Sequence, residues 1–296
     1  IPLTNSKVDT ALTNIMSILF SAKPVAKVEP RNPEDKDRAR KVEKLVEYRF
    51  QQANVYYKFL NFVKQLLIYG TGIMKVYYDY REQVRKIKVP KFVPLTTFFG
   101  IPIGQRQVGY TSEMKNISVF DGPNCEVCNL TDIFPDPQSI EMQDSWVIHR
   151  TKKNRAYLIQ KYKEGVYNRE VLKIPTSASV EENKGKENEL AALGRSSNPN
   201  VSRAKGAELV ELLEWWGPYD INNNGTLIPC VFVVANGQYL IRKTENPYWH
   251  GKSPFVKGVY VPIPNEFYGI GIPEILYDIQ YTLNDTVNQR IDNVSL

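Results

Sequence analysis

Cysteine and histidine are scarce, with three Cys and two His among 296 residues. An odd number of thiols in so long a chain argues against a disulfide scaffold and for a reducing compartment. Long apolar runs are missing too. The segment IPCVFVVA, residues 228–235, is strand-sized and far short of the ~20 residues of a membrane-spanning helix, so no membrane partner is expected. Charge of one sign barely prevails: 38 Lys and Arg against 32 Asp and Glu leave +6, compatible with phosphate backbones as partners without demanding them. No internal repeat is present.

What is there is a globular composition, 42% hydrophobic and 24% charged, enough for one large domain or two of about 150 residues each. The chain opens on Ile1 and its last residues still read as helix. It is therefore read as an internal piece of a longer protein, and a missing targeting signal carries no weight.

The pattern along the chain is α+β. N-terminal helices pack on a mixed, mostly antiparallel strand region, and a long C-terminal amphipathic helix follows. Val8, Leu12, Ile15, Met16, Leu19 and Phe20 form a first helical stripe, capped near Asn5 or Ser6. VAKVE at residues 25–29 reads as a short strand. A helix from Pro33 has Pro, Glu and Asp in its first turn, where the dipole favours them. The next helix turns Val55, Phe59, Leu60, Val63, Leu66 and Leu67 inward and stops at Gly70. Residues 84–147 have the texture of strands and turns. Residues 154–165 form a short helix, and the polar stretch 175–206 an insertion loop. Asn224-Gly225 and Asn236-Gly237 mark hairpins in a closing meander.

Several motifs suggest chemistry and fail on context. The CEVC pair, Cys125 and Cys128, has the spacing of a zinc or redox site, but lacks a second ligand pair, and i and i+3 point to opposite faces of a strand. DINNNG at residues 220–225 starts like a calcium loop, but the twelfth position is Val231 and the flanks read as strands. Asp144, Ser145 and His149 are close in sequence without a nucleophile elbow, and triads assemble in space. No catalytic, metal or cofactor site is expected. Tyr48, Tyr56, Tyr57, Phe59 and Phe62 follow a helical pattern and Tyr77, Tyr78 and Tyr80 a strand pattern, which predicts core or half-buried surface for most of them.

Charge is more informative locally. Residues 81–91 carry five basic side chains against one acid, including Arg85, Lys86 and Lys88. Residues 150–163 carry six and no acid, including Lys152, Lys153 and Arg155. Both are candidate patches for DNA or an acidic partner, beside the plainer reading of solvated faces. In the last helix Glu274, Asp278, Asp285 and Asp292 face only Arg290. There Ile272, Ile275, Leu276, Ile279, Leu283, Val287, Ile291 and Val294 make one apolar stripe, expected to anchor on the helix's own domain. The opposite face carries Tyr277, Tyr281, Asn284, Asn288, Gln289 and Asn293. Such amide-rich surface suits packing between subunits, where full charges are costly to desolvate.

The stretch YGIGIPEILYDIQYTLNDTVNQRIDNV resembles the segment of tailed-bacteriophage portal proteins that leads from the wing toward the stem, NQRIDNV above all. LTDIFPDP followed by WVIHR resembles the wing's strand and Asp-Pro corner. LLEWWGPYD and ANGQYLIRKTENPYWHGKSPFV resemble the meander before the exit helix. The resemblance runs from about Ile68 to the end and extends more weakly through the N-terminal helices. CEVCNL departs from it, standing where the family has an apolar strand.

The resemblance implies a wing-like α+β domain over residues 1–272 and a helix leading toward the stem over 273–296, with stem, clip and crown elsewhere. It implies a dodecameric ring of this chain at a capsid vertex of the virion, assembled in the host cytoplasm. Double-stranded DNA passes through the ring, driven by a separate terminase motor, with a head-tail adaptor and capsid or scaffold proteins as further partners and no catalysis in the ring itself. On that reading Gly269, Gly271 and Pro273 direct the exit helix, and Tyr277, Tyr281, Asn288 and Gln289 contact neighbouring subunits. A positive φ at Gly271 is expected, making Gly271→Val a misdirecting change. Two other classes stay open: a basic nucleic-acid-binding module without ring assembly, and a hydrolase dependent on His149.

Overall fold

The computed structural model describes residues 2–30, 32–96, 102–143, 145–175 and 209–295. Asp144 and all but the first residue of the loop expected at 175–206 lie outside them. The chain divides into two compact units, one of Ile1–Met16, Leu60–Lys75 and Val127–Leu296, the other of Ser17–Phe59 and Val76–Glu126. The class is α+β, with helices at both ends and antiparallel sheet between.

The first helix, α1 (Leu3–Phe20), begins before the expected cap. The Thr4 N–H and hydroxyl both donate to Gln280 Oε1, at 3.1 and 3.2 Å, so a distant side chain satisfies the first turn. Residues 25–29 make no strand. Instead Val28 N–H donates to the Glu43 carboxylate (3.1 Å). A 3-10 turn at Pro33–Asp35 leads into α2 (Lys36–Gln52), and α3 (Val55–Tyr69) follows. Gly70, at φ +74°, ends α3 in the left-handed conformation that a helix stop favours.

Two very long strands come next, β1 (Thr71–Thr96) and β2 (Pro102–Cys128), in place of the expected short strands and turns. Pro90 and Pro94 lie inside β1, where they read as breakers. A strand tolerates proline when one edge is unpaired, since the missing N–H then costs no ladder bond. Only Thr71 to Lys75 of β1 pair with β8 (Phe255–Val259), in the register Thr71↔Val259 to Lys75↔Phe255.

The meander is as the turn signals predict. An antiparallel sheet runs β3 (Ile133–Pro135), β4 (Val147–Asn154), β5 (Leu209–Tyr219), β6 (Ile228–Ala235), β7 (Tyr239–Glu245). Asn236 and Gly237 both have positive φ, the requirement of a tight hairpin turn. At the other turn Asn223 and Gly225 carry the positive φ. Asp220 there accepts N–H bonds from Gly225 (2.7 Å) and Asn224 (3.1 Å), which hold its carboxyl below the usual range. These bonds build a turn within the chain itself. Alternate residues Val210, Leu212 and Trp216 of β5 and Val231, Val233 and Ala235 of β6 are buried, as a half-covered sheet requires. They feed two apolar clusters, one around Val147, Trp216, Val231 and Phe255, the other around Leu158, Val171, Val233 and Ile241. Leu158 comes from α4 (Arg155–Lys163), whose first turn is capped by the Asn154 side chain accepting from Tyr157 N–H (2.8 Å).

Candidate functional site

Three glycines build the corner from which the last helices leave. Thr71 is wholly buried, and its hydroxyl accepts the Gly269 N–H at 2.8 Å. The Gly70 carbonyl accepts from Tyr260 N–H (2.8 Å), and Val261 accepts from Ile270 N–H (2.9 Å). These bonds lay residues 269–271 directly on the end of α3. A Cβ on Gly271 would stand 2.3 Å from the Ile68 carbonyl oxygen, and one on Gly269 would stand 2.5 Å from that of Val261. Both neighbours are backbone and have no rotamer with which to yield. Gly271 itself has φ −94°, so the expected positive φ is absent and close approach is the reason for glycine. Gly271 is the N-cap of α5 (Ile272–Ile275), with Pro273 in its first turn. Leu276, at φ −94° and ψ 4°, bends the path into α6 (Tyr277–Ser295), whose Gln280 N–H still reaches the Leu276 carbonyl (2.9 Å).

The stripe of α5 and α6 was expected to anchor on its own domain, and part of it is covered while part lies open. Ile272 is buried and Leu276, Leu283 and Val287 are half-buried, while Ile275, Ile279 (55% exposed), Ile291 and Val294 (82%) face solvent. Tyr277, Tyr281, Asn288 and Gln289 are exposed as well. Gln280, bonded to Thr4, continues the half-buried edge of Leu283 and Val287, and the remaining surface of α6 is largely open. The basic candidates fall in different units. Arg85, Lys86 and Lys88 are exposed on β1, whereas Lys152, Lys153 and Arg155 are half-buried. Arg155 donates to the Ile174 carbonyl and Lys153 lies over the Tyr157 ring at 5.7 Å, so both already hold structure together.

The family model of the phage SU10 portal protein matches residues 3–296. The chain belongs to that family. A phage portal protein is a structural component, which accords with the side chains that otherwise invite a catalytic reading.

In this portal family member the hydrolase candidates disperse. Ser145 donates its hydroxyl to Asp136 (2.6 Å), holding that carboxyl low, and does not pair with His149. His149 instead lies opposite Glu214 across the β4–β5 ladder, its Nδ1 3.8 Å from Glu214 Oε2. Lys75, from β1, places its ammonium 2.5 Å from the same oxygen. Burial alone would push the Glu214 carboxyl up, but the Lys75 charge, with the imidazole beside it, prevails and holds it down at about 2. Glu214 occupies the buried side of β5, between Leu212 and Trp216, and without Lys75 it would be an uncompensated charge in an apolar layer. Cys125, Cys128 and Cys230 are buried, and burial raises the thiols of the first and last of these in pKa. No group of three or more His, Cys, Asp or Glu among the described residues is placed to hold a metal ion. No described helix is long and apolar enough to cross a membrane.

Sequence reasoning missed two surface features. Tyr48, Tyr56, Tyr57, Tyr78 and Tyr80 are exposed, where the pattern predicted core or half-buried positions. Tyr78 and Tyr80 instead donate their hydroxyls to Asp121 and Glu82. Trp249, in the turn after β7, is 97% exposed. A tryptophan two residues from a proline and two from a glycine in a polar turn was the available signal.

Proposed function

We propose that the chain is the wing-bearing subunit of a portal ring at one capsid vertex, through which double-stranded DNA is packaged and ejected. Residues 1–272 form the wing and 273–296 lead toward the stem. The observation that carries this reading is the uncovered α6. A helix of about five turns with Ile279, Ile291 and Val294 in water is a poor monomer surface and a natural face for identical neighbours. Tyr277, Tyr281, Asn288 and Gln289 extend that face with groups that hydrogen-bond without full charge. The corner at Gly269, Gly271 and Pro273 aims it. The net acidity of this last segment suits a DNA conduit, because each phosphate neutralised by a lysine adds affinity and so friction. Arg85, Lys86 and Lys88, exposed on β1, face packaged DNA or an acidic virion partner. The terminase motor, the head-tail adaptor and the capsid or scaffold proteins are the partners this role requires.

Negative-stain imaging of the full-length protein purified without DNA, with its mass in solution, tests the reading. Rings with a central hole and about a dozen subunits are expected, in line with closed cyclic assembly. A chain that stays monomeric at high concentration and binds DNA with steep salt dependence would instead be the basic nucleic-acid-binding module, with Lys86 and Lys88 its first contacts.

A further inference from the structure

Trp249 is the most exposed large apolar side chain of the described residues, and the turn that presents it is tied by its own hydrogen bonds. Asn246 Oδ1 accepts from Tyr248 N–H (2.9 Å) and its amide donates to the Lys252 carbonyl (2.9 Å). His250 Nδ1 accepts from Lys252 N–H (3.0 Å), and Gly251 N–H donates to the Tyr248 carbonyl (2.9 Å). Beneath it, Trp216, Tyr248 and His250 stack in a ladder with ring centroids 5.7 and 5.3 Å apart. The backbone that carries the indole is thus ordered in the free chain, so part of the ordering cost of binding is already met. Among the described residues the ring itself meets only the edge of His250, with centroids 6.1 Å apart. Large aromatic anchors of that kind dominate interface energetics.

The other compact unit carries a matching hole. Phe20, Val25, Val46, Phe50 and Tyr56 line an open groove of about 460 Å³ with Glu47 on its wall. That volume is ample for an indole. Glu47 stands ready for the exposed Lys252 of the tryptophan turn, although Lys23 also borders the groove.

We infer that Trp249 of one subunit seats in this groove on a neighbouring copy of the same chain. The inference rests on the ring reading and adds the joint that the last helix does not supply. A ring needs two different complementary patches on each subunit, since a head-to-tail contact closes only when knob and hole are separate surfaces. The chain offers both, one in each unit, and the groove's apolar lining matches the face of the indole while Lys252 meets Glu47.

The test is a cysteine pair, Trp249→Cys with Val46→Cys, in the full-length protein. The native thiols are buried, so mild oxidation reaches the introduced pair. Rings should then give a ladder of covalent multimers on a non-reducing gel, and each single variant should give none. Rings seen by microscopy without a ladder overturn the joint and leave the ring reading standing. If the double variant fails to assemble, tryptophan emission of the unmodified chain decides. Trp216 is buried and Trp146 and Trp215 half-buried, so a shift to shorter wavelength on ring formation reports cover over Trp249. Unchanged emission overturns the inference, as does a shift that appears only when a different virion protein is added. A chain that never leaves the monomer overturns both readings. Trp249→Ala should weaken assembly about tenfold or more, the range of anchor truncations, with the monomer's melting temperature unchanged.

Discussion

Helices α3 and α6 carry apolar stripes of the same period, yet the fold covers one and leaves much of the other open. Along α3, Val55, Val63 and Leu67 are buried, and Leu67 has no exposed surface at all. Gln65 on the same helix bonds the Cys128 carbonyl (2.8 Å), fixing its rotation. Along α6 the nearest equivalents, Ile279 and Ile291, are more than half exposed. Periodicity states which residues of a helix want a partner. It does not state which molecule provides one. The open part of the stripe is what the proposed ring would cover.

The sharpest way to break that comparison is one charge placed on each stripe. Leu67→Asp should cost more than about 4 kcal/mol, because an unpaired carboxylate would sit in a fully buried site. Thermal melts should show the chain largely unfolded. Leu283→Asp, on a half-buried position of α6, should cost the monomer only about 1 kcal/mol and yet abolish rings by microscopy. Equal destabilisation of the monomer by the two changes would mean that α6 is covered after all.

The covered side has a second, electrostatic test. Lys75→Met strands the Glu214 carboxylate beside Trp216 and should cost about 3–5 kcal/mol, the usual penalty for breaking a buried pair from one side. The same pair predicts a pH response. The Glu214 carboxyl titrates near 2 in the fold against 4.5 in an open chain. Its contribution is therefore complete above pH 4.5 and is lost as pH falls from there through 2. The loss should be on the order of 3 kcal/mol, from about 1.4 kcal/mol per unit. Denaturant midpoints measured across pH 2–6 should rise with pH in the unaltered chain and lose or reverse that slope in Lys75→Met, where burial is no longer outweighed. No change in slope would remove the ion pair from the account of stability.

The exit corner ranks next. Gly271→Ala should cost about 3 kcal/mol, at the upper end of overpacking effects, since its methyl meets the Ile68 carbonyl oxygen. A denaturant midpoint unmoved by this change would show that the corner has room to shift.

Local signals were legible where one residue type answers one backbone need. Gly70 after α3, Asn154 before α4 and the Asn236-Gly237 turn could each be read from the chain, and the α+β class followed from their order. The long strands were not legible, because Pro90 and Pro94 within β1 read as breakers in a sequence. The corner glycines were half legible. Their position was clear, but the reason for Gly271 lies at Ile68, some 200 residues away, and no local pattern carries a distance of that kind. Nothing in the sequence marks Glu214 as the acid on which Lys75 and His149 converge. The bare face of α6 was hidden for a deeper reason: its stripe satisfies every local rule for a buried helix.

The smallest expected effect on the single chain is the most discriminating for the comparison. Ile279→Ser removes an isoleucine that is already 55% exposed, so monomer stability should stay within about 0.5 kcal/mol, as for other surface changes. The same substitution takes an apolar contact from every joint of a closed ring, and the losses add around the circle because each subunit contributes two halves of an interface. Sedimentation at graded concentration should therefore show rings dissociating at higher protein concentration than the unaltered chain, while melting curves of the monomer superpose. If instead the monomer melts earlier and ring dissociation is unchanged, Ile279 packs within its own chain, and α6 belongs with α3 among the helices that the fold covers for itself.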